Sequence, residues 1–266
     1  MKKLLIALLI GIILSLNILP INATVTPVVD AAKSDTGIVA ISYSSDVRLK
    51  VTVEKSGKRV TYDLRNDGKT EYYPLQLGEG SYKVSVLENI SGTKYKRVQS
   101  QTINLELDDV NKVYLASVQN VNWNRDMKAI KKAEELTKGL KTDREKIKAI
   151  YQYLISNISY DYDKLAALDS TYLPDIDKTL EKGKGICYDY SSTFAAMLRS
   201  LEIPAKLVKG YSTSTGSVYH AWNEVYMSDT GKWIIIDTTH DSQMKSAKKK
   251  YTMEKIAKNF TKVYEY

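Results

Sequence analysis

Near Asn122-Trp123 the hydrophobic period of the chain changes from two to that of a helix, and this change fixes what each half can fold into. Upstream, residues 36 to 119 alternate apolar and polar. Val47, Leu49, Val51 and Val53 run into Ser56-Gly57; Val60, Tyr62 and Leu64 run into Asp67-Gly68; Tyr73, Leu75 and Leu77 flank Pro74 and run into Gly78-Glu79-Gly80. Tyr82, Val84 and Val86 follow, then Ser91-Gly92 and Tyr95, then Ile103, Leu105 and Leu107, with Val113 and Leu115 as a last short strand. Short strands separated by hairpin-type turns predict an antiparallel β-sandwich of immunoglobulin-like type over residues 36–120. Pro74 belongs on an edge strand of it, because proline cannot donate to a ladder inside a sheet.

Downstream the pattern is helical and then mixed. Met127, Ile130, Ala133 and Leu136 mark a helix over about 125–140, and Thr142 with Glu145 has the form of a capping box. Ile147, Ile150, Tyr151, Leu154, Ile155 and Ile158 then place one face of a second helix in a core. Residues 160 to 182 read as a surface segment with one short helix, followed by a helix from Cys187 to Leu201 and strands over 205–211, 220–227 and 232–237. A chain of 266 residues accommodates two domains, here an all-β one and an α+β one over residues 123–266.

The two ends carry their own signals. Lys2 and Lys3 precede an apolar run from Leu4 to Leu19, then Pro20 and Asn22-Ala23, which reads as a signal peptide over residues 1–23, with an uncleaved anchor as the competing reading. The expected location is secreted or associated with a bacterial cell surface, and nucleic acid is not an expected partner. Cleavage after Ala23 lowers the formal charge from +8 to +6 by removing Lys2 and Lys3, and residues 241–266 hold seven lysines: 245, 248, 249, 250, 255, 258 and 262. Such a run is either the solvated face of a terminal helix that packs through Tyr251, Met253, Ile256, Ala257 and Phe260, or a means of adhering to an anionic cell wall or membrane surface.

Chemistry is confined to a few residues. One cysteine excludes an intramolecular disulfide, and two histidines do not complete a zinc site of the usual Cys/His composition. Cys187 opens a helix, where unpaired amides and the helix dipole favour a thiolate; the alternative is a buried structural thiol, which an exported chain has reason to avoid. A thiol nucleophile needs an imidazole partner, and that imidazole needs an acceptor on its other nitrogen. His220 starts one strand and Asp237 ends the next, across the Ser228-Asp229-Thr230-Gly231 turn, so a hairpin brings them together unless the register slips by one residue. The sequence contains no HExxH, CxxC, P-loop or Rossmann glycine pattern.

Gly183-Lys184-Gly185-Ile186-Cys187-Tyr188-Asp189-Tyr190-Ser191, Leu201-Glu202-Ile203-Pro204-Ala205-Lys206 with Gly210-Tyr211, His220-Ala221-Trp222-Asn223-Glu224-Val225-Tyr226 and Lys232-Trp233-Ile234-Ile235-Ile236-Asp237 together resemble the transglutaminase-like superfamily in content, order and spacing. The resemblance covers residues 145 to 241, including Asn157-Ile158-Ser159-Tyr160-Asp161. It implies a papain-like α+β core with Cys187 as nucleophile, His220 as general acid/base, Asp237 orienting the imidazole, and Tyr160 with the Cys187 amide as the oxyanion hole. Bacterial members usually read Asp-Pro-Thr and then Trp where this chain has Asp237-Thr238-Thr239-His240, which leaves His240 as a rim residue without a role. No counterpart of the calcium loops of animal transglutaminases is present, so no cofactor and no metal are expected. Three readings of such a site remain open: hydrolysis of an amide in a protein or peptide, acyl transfer that crosslinks Gln to Lys, and a non-catalytic cell-surface module.

Overall fold

A computed structural model describes residues 27–216 and 218–266 of the chain. The expected signal peptide lies outside the described residues. The architecture is mixed α/β.

Seven strands make up the N-terminal half: β1 (Val28–Asp30), β2 (Ile38–Ser42), β3 (Leu49–Lys55), β4 (Lys58–Leu64), β5 (Glu71–Pro74), β6 (Gly80–Ser91) and β7 (Lys94–Leu105). They form two antiparallel sheets, in the orders β1-β2-β5 and β4-β3-β6-β7. Val51 faces Tyr62 on one side and Val86 on the other, so the alternating apolar residues of three strands meet in one buried layer. Ser56 and Gly57 both have positive φ, at 49° and 78°, which gives the β3–β4 hairpin the turn that matches the natural strand twist. Pro74 lies on β5, an edge strand, as its missing amide requires.

Val113 and Leu115 do not form a strand. The Asp109 carboxylate accepts the Asn111 N–H and caps a 3-10 turn over Val110–Tyr114, which overrides the alternation. β1 also starts upstream of the expected boundary, at Val28.

The second half contains α1 (Lys128–Thr137), α2 (Asp143–Asn157), β8 (Ser159–Tyr160), α3 (Tyr162–Ala166), α4 (Ile176–Lys182), β9 (Lys184–Gly185), α5 (Cys187–Arg199), β10 (Ala205–Ser212), β11 (His220–Met227), β12 (Lys232–Ile236), α6 (Thr238–Ser246), β13 (Glu254–Lys255) and β14 (Phe260–Glu265). Thr142 and Glu145 form the reciprocal capping box at the start of α2. Segment 160–182 holds two helices rather than one, because Asp161 and Asp175 each accept the amide three residues on and start a turn.

The C-terminal lysine run is not the face of a terminal helix. α6 stops at Ser246, and residues 260–265 form an edge strand in the antiparallel sheet β13-β12-β11-β10-β14. What decides this is a long-range contact: Gly210 at a bulge in β10 lets the β14 backbone approach so closely that an added Cβ would lie 2.1 Å from the Thr261 carbonyl oxygen. Two of the lysines are then paired, Lys255 with Asp241, and Lys262 with Glu224 and Glu265. Because the obstructing atom is backbone, Gly210→Ala should displace β14 and cost about 1–3 kcal/mol, read as a fall in the urea midpoint at unchanged m-value.

α5 packs across β10 and β11 and is surrounded by α1, α2, α4 and α6. Tyr190, Phe194, Ala195, Met197 and Leu198 along it are inaccessible to solvent. Arg199 at its end is also buried and donates to three carbonyls, of Ala205 (2.9 Å), Ala116 (2.7 Å) and Tyr266 (2.7 Å). Those bonds join α5, the connecting segment and the end of β14. Tyr266 in turn packs edge-on against Tyr62 of β4, with centroids 5.8 Å apart, and a single buried apolar cluster runs through both halves.

Candidate active site

Cys187 is the first residue of α5 and partly accessible, with Ile186 as the N-cap. Ile186 has no side chain that can cap, so the turn is closed from within: Asp189, fully buried, accepts the Ile186 N–H at 2.8 Å. The same carboxylate takes the Lys164 ammonium at 2.8 Å and the Tyr172 hydroxyl, tying α3 and the following loop to the start of α5. Sequence reasoning did not single out Asp189, although its position three residues after the N-cap is a capping signal.

β8 pairs in parallel with β9, Tyr160 opposite Gly185, two residues before the cysteine. This sets the Tyr160 ring beside Cys187. Burial, and then the charge of Cys187, push the phenol up to about 12, so it stays protonated, and its hydroxyl has no hydrogen-bond partner among the described residues.

His220 begins β11, and Asp237 follows β12 as the N-cap of α6. The register pairs Asn223 with Ile236, which brings the two side chains to the same end of the hairpin. Nε2 of His220 lies 2.8 Å from Oδ2 of Asp237, while Oδ1 of Asp237 accepts the His240 N–H at 2.9 Å. Both carboxylate oxygens are therefore engaged and the side chain is fixed. The imidazole stacks on Trp222, with centroids 6.3 Å apart. Burial pulls the imidazole pKa down, but the charge and hydrogen bond of Asp237, followed by the hydrogen bond and charge of Cys187, outweigh it and raise it to about 10. With Nε2 occupied by Asp237, it is Nδ1 that faces the sulfur.

The structure thus brings Cys187, His220, Asp237 and Tyr160 to one place. His240 stands apart from them. Its imidazole lies 3.2 Å from Asp241 at the rim of a cavity of about 340 Å³ that Asp237 also lines. Its contribution to the site is the backbone amide on Asp237. Among the described residues no group of three or more His, Cys, Asp or Glu is placed to hold a metal ion.

Residues 130–238, from α1 to the start of α6, match the family model of the transglutaminase-like superfamily. Residues 130–238 thus form a transglutaminase-like core. Across 114 residues the chain is 33% identical to YebA, an uncharacterized protein of Bacillus subtilis; the match spans 36% of this chain and 15% of YebA. Solved structures that align with this chain include a proposed cysteine protease from Cytophaga hutchinsonii, 17% identical with a TM-score of 0.46 over 86% of this chain and 78% of that one. Another is the periplasmic domain of TgpA from Pseudomonas aeruginosa, 16% identical with a TM-score of 0.39 over 82% of this chain and 96% of that one. Cys187, His220, Asp237 and Tyr160 all lie within the matched residues, and the β1–β7 half lies outside them.

Because the His220 proton is retained up to about 10, any step that needs the imidazolium should persist through neutral pH and fail only as pH rises through about 10. The sign for stability is the same: the raised value means that the Asp237–imidazolium pair contributes fully below about 6.5 and is lost by about 10. The carbon-bound proton resonances of the His220 ring, followed against pH, should titrate near 10, and a midpoint near 6.5 would mean that Asp237 does not act on the ring.

Proposed function

We propose that the chain is a thiol enzyme that acts on amide bonds of protein or peptide substrates through Cys187, His220 and Asp237. The observation that carries this reading is the buried His220–Asp237 pair whose free nitrogen faces a cysteine at a helix N-terminus. In this mechanism Sγ of Cys187 attacks the amide carbonyl, and an S–C bond forms as the C–N bond breaks. His220 gives its proton to the departing amine. The Cys187 amide and the Tyr160 hydroxyl face the oxygen on which charge develops. Water then attacks the thioester carbonyl, a C–O bond forms as the S–C bond breaks and the acid departs, and His220 takes up the proton that the water loses, which restores the thiolate–imidazolium pair.

Hydrolysis and amine transfer share these residues and differ in the acceptor. Incubating the protein with a glutaminyl peptide, with and without a labelled amine, distinguishes them: ammonia or a cleaved backbone without label marks a hydrolase, label on the peptide marks a crosslinking transferase, and none of these products would leave the non-catalytic module. For the N-terminal half we infer an immunoglobulin-type sandwich, on the strength of its two antiparallel sheets with non-sequential strand order. Its fourth strand joins the third, whereas in the constant-type immunoglobulin arrangement it would join the fifth. Export through residues 1–23 and retention on an anionic wall belong to the same proposal. Lys248, Lys249, Lys250 and Lys258 are exposed, and in their absence salt-sensitive binding to isolated walls should weaken.

A further inference from the structure

One charged side chain near the sulfur has no part in the mechanism above. Along β10, Ala205, Leu207 and Lys209 point to the same face, and that face packs on α5. Leu207 is fully buried in the core, so Lys209, two residues further, reaches the start of α5 where Cys187 lies. The β10 bulge falls between Lys209 and Gly210.

The ammonium of Lys209 is surrounded by aromatic rings. It lies 3.5 Å from the ring centroid of Tyr188, the residue after Cys187, and 5.5 Å from that of Tyr266. Among the described residues no carboxylate is within ion-pair distance of it, and the charge of Cys187 alone opposes the effect of burial, which lowers its pKa to about 8. Aromatic faces attract a cation but do not replace a counter-ion in a desolvated site.

Lys209 also opens onto a cleft of about 810 Å³ between the halves, with Tyr172, Tyr188 and Tyr266 on one wall and, on the other, β4 and the Asp46–Leu49 segment that leads into β3. The arginines of that second wall are matched, Arg48 with Asp63 and Arg65 with Glu71. Lys209 is the unmatched cation of the cleft among the described residues.

We infer that this cleft receives the acyl donor and that Lys209 binds a carboxylate on it, next to the carbonyl that Cys187 attacks. The substrate class is accordingly an amide or peptide with a free carboxylate beside the bond to be broken, and the N-terminal half contributes one wall of its site. The inference rests on Cys187 being the nucleophile. A neutral donor would leave the Lys209 charge buried and uncompensated, whereas a carboxylate neutralises it without a proton transfer.

Two alkylating probes of nearly equal size test this: iodoacetate, which carries a carboxylate next to the reacting carbon, and iodoacetamide, which does not. In each case the Cys187 thiolate forms an S–C bond and iodide leaves with the electron pair of the C–I bond. The ratio of the two rates on one protein cancels differences in the reactivity of the sulfur itself. That ratio should fall about tenfold in Lys209→Met and in Lys209→Gln, two variants that keep most of the side-chain volume. In the parent protein it should also fall as pH rises through about 8, where Lys209 loses its charge, while the Tyr188 and Tyr266 phenols, raised well above their ordinary value by burial, stay neutral. A ratio that is the same in parent and variants, or flat across that pH range, overturns the role of Lys209 and leaves the nucleophile in place. Failure of both probes to label Cys187 in the folded protein would overturn the thiol-enzyme reading and this inference with it.

Discussion

Asp237→Asn should lower turnover by about 10²- to 10⁴-fold with the fold intact. The two oxygens of Asp237 do different work: Oδ1 caps α6 through the His240 N–H, and Oδ2 meets Nε2 of His220. Asparagine is as good an N-cap as aspartate, so its carbonyl oxygen keeps the first function. Its amide group then faces Nε2 as a donor. For the contact to survive, Nε2 must become the acceptor, which moves the ring proton to Nδ1 and points it at the sulfur. The substitution also removes the charge that holds the imidazole up to about 10. Single-turnover kinetics alongside thermal melting would check this, and parent-like turnover in the variant would remove Asp237 from the mechanism. Asp237→Ala, which loses the cap as well, should differ by showing a lowered Tm.

The second large effect is on stability. Asp189→Ala should cost about 2–4 kcal/mol, the lower part of the range for breaking a buried pair because Lys164 is 25% exposed and partly recovers its hydration. Three donors lose their acceptor at once: the Ile186 N–H, the Tyr172 hydroxyl and the Lys164 ammonium. Two of them belong to the segment that covers α5, and the third belongs to the turn carrying Cys187. The variant should therefore unfold at lower urea, and its 161–175 segment should become susceptible to protease while the β half stays resistant. A midpoint unchanged from the parent would show that the carboxylate is dispensable.

Much of this arrangement was legible in the sequence, and the exceptions have a common cause. Local signals with a complete physical mechanism were reliable: the Ser56-Gly57 turn, the Thr142–Glu145 box and the placement of Cys187 at a helix start all depend on neighbours a few residues away. The His220–Asp237 approach was legible too, since a short turn and a period of two set its register. What escaped depends on distant partners. Residues 251–260 have apolar spacings compatible with a helix, and only the approach permitted by Gly210, some fifty residues earlier in the chain, makes the segment after Asn259 a strand. Lys209 reads as an ordinary strand lysine until α5 and the β4 wall enclose it. The 3-10 turn at Val110–Tyr114 was the reverse case, a local Asp109 cap hidden inside a convincing alternation.

The pairing of β14 with β10 has a consequence for the order of events during biosynthesis. Ribosomes deliver β10 well before residues 260–266, so for that interval one edge of β10 presents bare amides and carbonyls, and Arg199 lacks the Tyr266 carbonyl it binds in the finished protein. The wall formed by Tyr266 beside Lys209 is missing over the same interval. The cleft between the halves therefore acquires that wall only once the segment after Asn259 has paired with β10.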